Sequence, residues 1–314
     1  FNNKNIVLLG ENKETTIIDG NQSGSVVVFT GNESSNAKIE NLTLKNGSAS
    51  RGGGINFNTA GATVINCNFL NNSASEYGSH INSCGNNLIS NCFFSGGNRH
   101  AIFQDCGSTS NYENCLIDAS NSVNVISGNG HPNLTNCTIL NYEGVAYTAY
   151  NSGDASIINC IFIPSEGFES ALIAYSDRVE AGINLLIDYS FFLNPGTDVS
   201  LEGGGQISYG SNNVNGIDNP LFCNISSSNY TLAANSPCSG SGQNGENIGA
   251  FDIGCGNVFK NYYVSIDSDQ DGNGSQEFPF HTIQSGINAL GNNDTLRINS
   301  GTYIENIDTY GKAI

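Results

Sequence analysis

A short phrase recurs along the first half of the sequence and constrains the fold more than any other feature. Each copy centres on an Asn, usually followed by Cys, with apolar residues on both sides, as in Val64-Ile65-Asn66-Cys67-Asn68-Phe69. The Asn recurs every 22 to 25 residues, at Asn41, Asn66, Asn91, Asn114, Asn136 and Asn159. A period of this length indicates a stack of similar supersecondary units.

The residues within and between the phrases predict short strands. Apolar and polar residues alternate in each phrase, which is typical of a strand with one buried face. A second short apolar segment, such as Ala101-Ile102-Phe103, lies between successive phrases. About two dozen residues with two or three strands form one rung of a parallel β-helix, and rungs stack at ~4.8 Å. Residues 1–256 are therefore predicted to form an all-β parallel solenoid of about nine rungs.

The stacked Asn and Cys residues have a structural interpretation. An Asn at the same turn of every rung can hydrogen-bond to the turns above and below, as a ladder that satisfies the backbone groups of a bend. Beside it, we expect an inward column of thiols that fills the space of small apolar residues. This column comprises Cys67, Cys92, Cys115, Cys137 and Cys160. A metal site is disfavoured there, because these Cys residues are one rung apart and form no Cys-x-x-Cys pair. In addition, no His occupies the corresponding position of a rung.

The remaining cysteines predict a cross-link. Cys84 and Cys106 resemble a second, shorter column, whereas Cys223, Cys238 and Cys255 lie outside the repeat in Gly/Ser-rich sequence. A disulfide is expected among these last three, most simply between Cys223 and Cys238, in an oxidising compartment.

The charge of the chain excludes several partners. Ten Lys and Arg stand against 28 Asp and Glu, which gives a formal net charge of −18. Nucleic acids and anionic membranes attract basic patches, so neither is an expected partner. No apolar run approaches the length of a membrane span, so membrane insertion is not expected either. The composition is typical of an extracellular, secreted protein.

The motifs together resemble a known family. The Asn-Cys rungs, the step Gly52-Gly53-Gly54-Ile55, and the closing phrases Asn235-Ser236-Pro237-Cys238 and Ile248-Gly249-Ala250-Phe251 are similar to the secreted right-handed parallel β-helix repeat proteins of the pectin-lyase-like superfold. The resemblance covers nearly the whole chain and implies a right-handed β-helix. It implies no single function, since the superfold includes polysaccharide lyases, hydrolases, adhesins and structural proteins.

Residues 257–314 differ from the rungs and resemble the beginning of such a protein. Apolar residues at helical spacing, Phe280, Ile283, Ile287 and Leu290, predict a short amphipathic capping helix. The order of the segments is displaced, because this beginning-like segment stands at the C-terminal end of the sequence. If the sequence after Ile314 is continued with Val7-Leu8-Leu9, the β-helix pattern follows in its natural order. Three arrangements stay open: a fold-back onto the first rung, a tandem array, and a head-to-tail fibre.

Array and fibre are favoured, because the linker is too short to recross the rod. In both, the segment completes the open first rung of the next unit. The expected interface consists of Phe1, Ile6, Phe280, Ile283, Ile287 and Ile314.

An acidic loop is the best candidate ligand site. Asp267, Asp269 and Asp271 alternate and are followed by Asn273 and Glu277, as at the start of a calcium-binding loop. Phe278 occupies the position where that loop carries a bidentate Glu. A Ca²⁺ site and an Asp/Gly-rich surface turn are therefore both open.

No convincing catalytic constellation is predicted, and the protein is not expected to be an enzyme. The weak candidates are His80, Arg99, His100 and Asp105, which occupy adjacent rungs and include a residue type that serves as a base at neutral pH. Polar side chains on a solvated face are the favoured interpretation.

The predicted function is that of an extracellular structural protein, namely a β-helix unit of a fibre, tandem array or adhesin that has itself as partner. The alternative is a carbohydrate-binding or carbohydrate-active β-helix, with Tyr142, Tyr147, Tyr150 and Tyr175 as stacking surfaces for a polysaccharide.

Overall fold

The structure is a computed structural model. It describes residues 4–31, 33–120, 122–149, 153–168, 172–174, 183–193, 206–216, 220–268, 272–291, 294–309 and 311. The chain divides into two compact units, residues 1–254 and residues 255–314. The strands are numbered β1 to β32 along the chain.

The first unit is built on three parallel sheets. Over most of the unit, each turn of the solenoid contributes one strand to each of the three sheets. Sheet 1 has nine strands: β1 (Val7–Leu9), β4 (Lys38–Glu40), β8 (Thr63–Ile65), β12 (Leu88–Ser90), β15 (Asn111–Glu113), β18 (Asn133–Thr135), β21 (Gly153–Ile158), β24 (Ile183–Asp188) and β26 (Gln206–Tyr209). Sheet 2 also has nine: β2 (Ile17–Asp19), β5 (Thr43–Lys45), β9 (Asn68–Leu70), β13 (Phe93–Ser95), β16 (Leu116–Asp118), β19 (Thr138–Tyr142), β22 (Ile161–Pro164), β25 (Phe191–Leu193) and β27 (Val214–Gly216).

Sheet 3 carries the second short strand of each rung. Its seven strands are β3 (Val27–Phe29), β7 (Ile55–Phe57), β11 (Ile81–Ser83), β14 (Arg99–Gln104), β17 (Ser122–Ser127), β20 (Val145–Ala149) and β23 (Leu172–Ala174). A parallel pair, β6 (Ser48–Arg51) and β10 (Ser73–Tyr77), lies between sheets 2 and 3 in the chain. The prediction of an all-β parallel solenoid is confirmed.

The repeated Asn forms the tight turn between sheets 1 and 2. All six Asn residues have positive φ, between 51° and 58°, and Tyr189 takes the same position at 50° in a further rung. Asn is the non-glycine residue that adopts this left-handed conformation most readily. Each of the six donates its N–H to a carbonyl of the next rung, at 2.9 to 3.3 Å.

The amide ladder is shorter than expected. Among the described turns, amide pairing is limited to Asn66 and Asn41, which are 2.8 Å apart (Nδ2 to Oδ1). The main-chain bonds already satisfy the turn, so the remaining amides are not required for it.

The core lies inside the three sheets and consists of columns with one residue per rung. Ile39, Val64 and Ile89 lie in register in sheet 1, and Leu44, Phe69 and Phe94 do so in sheet 2, all with no exposed surface. The rings of Phe69 and Phe94 stack with centroids 4.6 Å apart.

The five thiols form a buried column beside the turn. Each Sγ lies 3.2 to 3.4 Å from the carbonyl oxygen two residues earlier, and all five are free cysteines. Burial, followed by the neighbouring thiols, raises the pKa of Cys115 and Cys160 well above the usual range. All five thiols are buried away from solvent, so the column fills the core.

A second apolar layer covers the outer face of sheet 2. Residues 220–251 fold back against that face, so that Phe222, Leu232, Cys238 and Ile248 pack with Leu116, Leu140, Ile161 and Phe191. This segment contains β28 (Phe222–Asn224), β29 (Asn229–Ala233) and two short 3₁₀ helices (Ile225–Ser227 and Gln243–Gly245). The third strand of its small sheet is β30 (Ile253–Cys255). The sequence interpretation did not anticipate this layer.

The second unit is a small β-α-β arrangement. Strands β31 (Asn261–Val264) and β32 (Thr295–Ile298) are parallel, and helix α1 (Ile283–Ala289) connects them. Thr282 caps α1 through a side-chain bond from the N–H of Ser285, and the Glu305 carboxylate accepts the N–H groups of Ile283 and Gln284 at 2.8 and 2.9 Å. The predicted short helix is confirmed.

Candidate binding groove

The four weak catalytic candidates have separate surroundings in the structure. Among the described residues, no hydrogen bond or ion pair joins any two of His80, Arg99, His100 and Asp105. His80 is 1% exposed and packs edge-on against the stacked rings of Phe69 and Phe94, with centroids 6.3 and 5.8 Å away. Because the imidazole of His80 is buried, a substrate cannot reach it. Burial also lowers the pKa of His80 to about 3, so this side chain is a poor base.

The other three members of that set have local roles. Asp105 accepts the N–H of Cys106 at 2.8 Å and the amide of Asn129 at 3.0 Å. Burial, followed by the charge of Arg99, lowers the pKa of His100. Arg99 is exposed on a left-handed backbone position at φ 50°.

The acidic loop is described only in part. Asp269 and Asp271 lie outside the described residues, whereas Asp267, Asn273 and Glu277 are exposed. The Asn273 side-chain oxygen accepts the N–H of Ser275 at 3.0 Å. Calcium binding therefore stays a prediction.

One other group of potential ligands occurs in the described part of the chain. Cys84, Asp105 and Cys106 bring their ligand atoms together, but Cys84 and Cys106 form a disulfide between adjacent rungs. Their sulfurs are therefore unavailable as thiolate ligands.

The expected Cys223–Cys238 disulfide is wrong. Cys238 is a free thiol with no exposed surface, packed in the apolar layer over sheet 2. Cys223 and Cys255 are the disulfide-bonded cysteines of this region. The burial of Cys238, which spacing does not reveal, explains the error.

The proposed stacking surface of tyrosines is also wrong where the structure describes it. Tyr142 and Tyr147 have no exposed surface, and the Tyr147 hydroxyl donates to the Pro132 carbonyl at 2.9 Å. Burial raises the pKa of Tyr147. Tyr150 and Tyr175 lie outside the described residues.

The expected assembly residues are placed as follows. Phe1 and Ile314 lie outside the described residues. Ile6 is 42% exposed beside the edge strand β1. In the second unit, Phe280 and Ile283 are half-buried, and Ile287 is buried on α1.

A concave surface of the first unit runs along the Asn turns. Two adjoining cavities of about 540 and 500 Å³ lie between these turns and the folded-back segment that contains Tyr230 and Phe251. Both are lined by Asn91, Asn114, Ala250 and Phe251. We call the two together the turn groove.

The walls of the turn groove combine amides with aromatic rings. Asn66, Asn91, Asn114 and Asn136 line one wall. The aromatic residues Phe93, Tyr230 and Phe251 are each half-buried. Burial raises the pKa of Tyr230, with a smaller contribution from the charge of Asp118. This arrangement can donate and accept hydrogen bonds and pack against flat apolar surfaces.

The turn groove depends on the folded-back segment, which two turn contacts hold in place. Gln243 donates its N–H to the Asn159 side-chain oxygen at 2.7 Å, and Gly249 donates to the Asn159 carbonyl at 2.7 Å. The sequence carried a signal for this layer, because adjacent apolar pairs such as Leu116-Ile117 and Ile161-Phe162 leave neither face of sheet 2 polar.

The family model described as the right handed beta helix region matches residues 5–162, just over half of the chain. The chain therefore belongs to the right-handed β-helix family, in agreement with the parallel sheets and the left-handed Asn turns. No curated protein and no solved structure matches it. Within the described residues, no helix is long and apolar enough to cross a membrane.

Proposed function

We propose that this β-helix protein is an extracellular structural component that assembles head to tail, with residues 257–314 of one copy or repeat completing the first rung of the next. The observation that carries the proposal is the edge formed by β1 and β2. In the described residues these strands end sheets 1 and 2, and each pairs on one side only.

The hydrogen-bonding groups of this edge suit a docking strand. Ile6 accepts the N–H of Lys38, and Gly10 donates to Glu40, so alternate residues of β1 face β4. The N–H and C=O groups of Val7 and Leu9 therefore point away from β4, because these groups alternate sides along a strand. A further parallel strand can pair with them.

Apolar exposure at this edge supports the same proposal. Val7, Leu9 and Ile17 are 57%, 66% and 47% exposed. Leu8 and Ile18 are only partly buried, whereas their register partners Ile39 and Leu44 have no exposed surface. Covering them would remove apolar surface from water.

Features of the second unit support its proposed role as the donor. It presents two parallel strands connected by a helix, which is the arrangement of a solenoid edge with a cap. Ile298 on β32 and Ile304 after it are 48% and 96% exposed. The Cys84–Cys106 disulfide supports an extracellular location, because disulfides persist in oxidising compartments.

Leu9→Pro is the test. Proline removes the N–H that Leu9 presents to a docking strand without removing a hydrogen bond to β4. We expect the wild-type chain and the matched control Leu9→Ala to show a mass that rises with concentration in light scattering. Leu9→Pro is expected to remain monomeric with unchanged circular dichroism. A monomeric wild type, or a Leu9→Pro chain that associates like the control, would contradict the proposal.

A further inference from the structure

The Cys84–Cys106 disulfide lies beside a carboxylate. Its two cysteines follow strands β11 and β14 of adjacent rungs, and their Cα atoms are 5.1 Å apart. Asp105 precedes Cys106 in the same turn, and a carboxylate oxygen lies within 4.8 Å of both sulfurs. Two Cys side chains and one Asp are three of the four ligands of a tetrahedral Zn²⁺ site.

The carboxylate of Asp105 is oriented with one oxygen to spare. The N–H of Cys106 and the side-chain amide of Asn129, in the next rung, both donate to Oδ1, at 2.8 and 3.0 Å. These two bonds leave Oδ2 available for a cation. A hydrogen bond to a ligating carboxylate fixes its direction, so Asn129 would act as a positioning residue.

Hydrogen bonds hold the two turns together independently of the disulfide. Asp105 donates its N–H to the Ser83 carbonyl at 2.6 Å, and the buried Gln104 donates its side-chain amide to the Gly85 carbonyl at 3.1 Å. Ser83 and Gly85 flank the first cysteine of the pair, so both bonds join its turn to the turn of the second. Opening the S–S bond therefore leaves the two sulfurs close to each other.

This corner of the solenoid is open to solvent. Cys106 is exposed, and Cys84 and Asp105 are half-buried. In contrast, the five thiols of the column and Cys238 are buried in the core. A reductant and a metal ion can therefore reach this pair of cysteines, and water can fill the fourth ligand position. The net charge of −18 attracts cations to the surface.

We propose that Cys84, Asp105 and Cys106 form a redox-dependent Zn²⁺ site, which the disulfide closes and reduction opens. A dithiol reductant supplies two electrons and two protons, which convert the S–S bond into two thiols, while the dithiol closes to its own disulfide. Zn²⁺ then binds both sulfurs as thiolates, and the two thiol protons pass to solvent. Thiolate ligands select Zn²⁺ over the harder Ca²⁺. The proposal does not rest on head-to-tail assembly.

Cobalt titration of the 314-residue chain tests the proposal, because Co²⁺ substitutes for Zn²⁺ and absorbs by charge transfer when thiolates coordinate it. The chain is reduced with a dithiol, which is then removed in the absence of oxygen. We expect the reduced chain to bind one Co²⁺ with thiolate absorption, and Zn²⁺ to abolish that absorption. The oxidised chain should show none.

Three variants locate the ion. Cys84→Ser should weaken Co²⁺ binding roughly a hundredfold, because one thiolate is lost. Asp105→Asn keeps the disulfide and the size of the side chain, and it should weaken binding roughly tenfold through the lost charge. Cys223→Ser is the matched control, because it removes a cysteine that is disulfide-bonded in another region and should leave binding unchanged.

Circular dichroism of each reduced chain reports whether the solenoid persists. A reduced wild-type chain without thiolate absorption would overturn the proposal, whether or not its β-structure is retained. Equal Co²⁺ binding by the oxidised chain would exclude the two sulfurs as ligands and also overturn it. Equal losses for Cys84→Ser and Cys223→Ser would place the ion on other thiols, with the same consequence.

Discussion

Phe94→Ala is expected to lower the free energy of unfolding by about 3–5 kcal/mol. Phe94 has no exposed surface and stacks on Phe69 within the column that sheet 2 contributes to the core. The deleted ring leaves a cavity that neighbouring rungs cannot close, because main-chain hydrogen bonds fix their spacing. Urea-induced unfolding, followed by circular dichroism, measures the change.

The matched control for this cavity is Phe168→Ala. Phe168 is 44% exposed, so its loss should change the free energy of unfolding by less than about 1 kcal/mol. Equal losses for the two variants would contradict the placement of the phenylalanine column in the core.

Acidification is expected to destabilise the protein by roughly 3 kcal/mol between pH 7 and pH 4 through His80 alone. The folded-state pKa of His80 is about 3, whereas the unfolded value is near 6.5. The unfolded chain therefore binds the proton more tightly between these values. The stabilisation is complete above pH 6.5 and is lost as the pH falls towards 3.

His80→Gln removes this titration and should flatten the pH dependence by that amount, whatever its effect at neutral pH. His281→Gln is the control, because His281 lies half-buried in the second unit with its Nδ1 2.6 Å from the Ser268 carbonyl oxygen. Free energies of unfolding at pH 7, 5.5 and 4 provide the comparison. A slope for His80→Gln equal to that of wild type would show that His80 is not sealed in the core.

The architecture could be predicted from the sequence because its signal repeats. The recurring Asn fixes a left-handed turn in each rung, and alternation places Ile39, Val64 and Ile89 inside. The burial of the five thiols followed from their shared phase with these positions. Errors within one rung are averaged out when the same pattern recurs.

The parts of the structure without a repeat could not be predicted in the same way. The pairing of Cys223 and the burial of Cys238 depend on how residues 220–251 fold onto sheet 2, which is a long-range contact. The turn groove follows from that same contact. Tyr147 lies in the core because it is in register with Ile126, so it packs between rungs, as is commoner for Tyr, and offers no stacking surface to a ligand.

The rejected catalytic set shows a related limit. His80 and His100 occupy neighbouring rungs, as spacing predicts, but the burial of His80 against Phe69 and Phe94 depends on the direction in which its side chain points. Proximity in a solenoid follows from the period, whereas access to solvent does not.

Electron microscopy of the purified 314-residue chain at micromolar concentration tests head-to-tail assembly most directly. We expect unbranched threads one solenoid wide, with a ~4.8 Å axial spacing in their diffraction. A field of separate, uniform particles at every concentration would contradict the account.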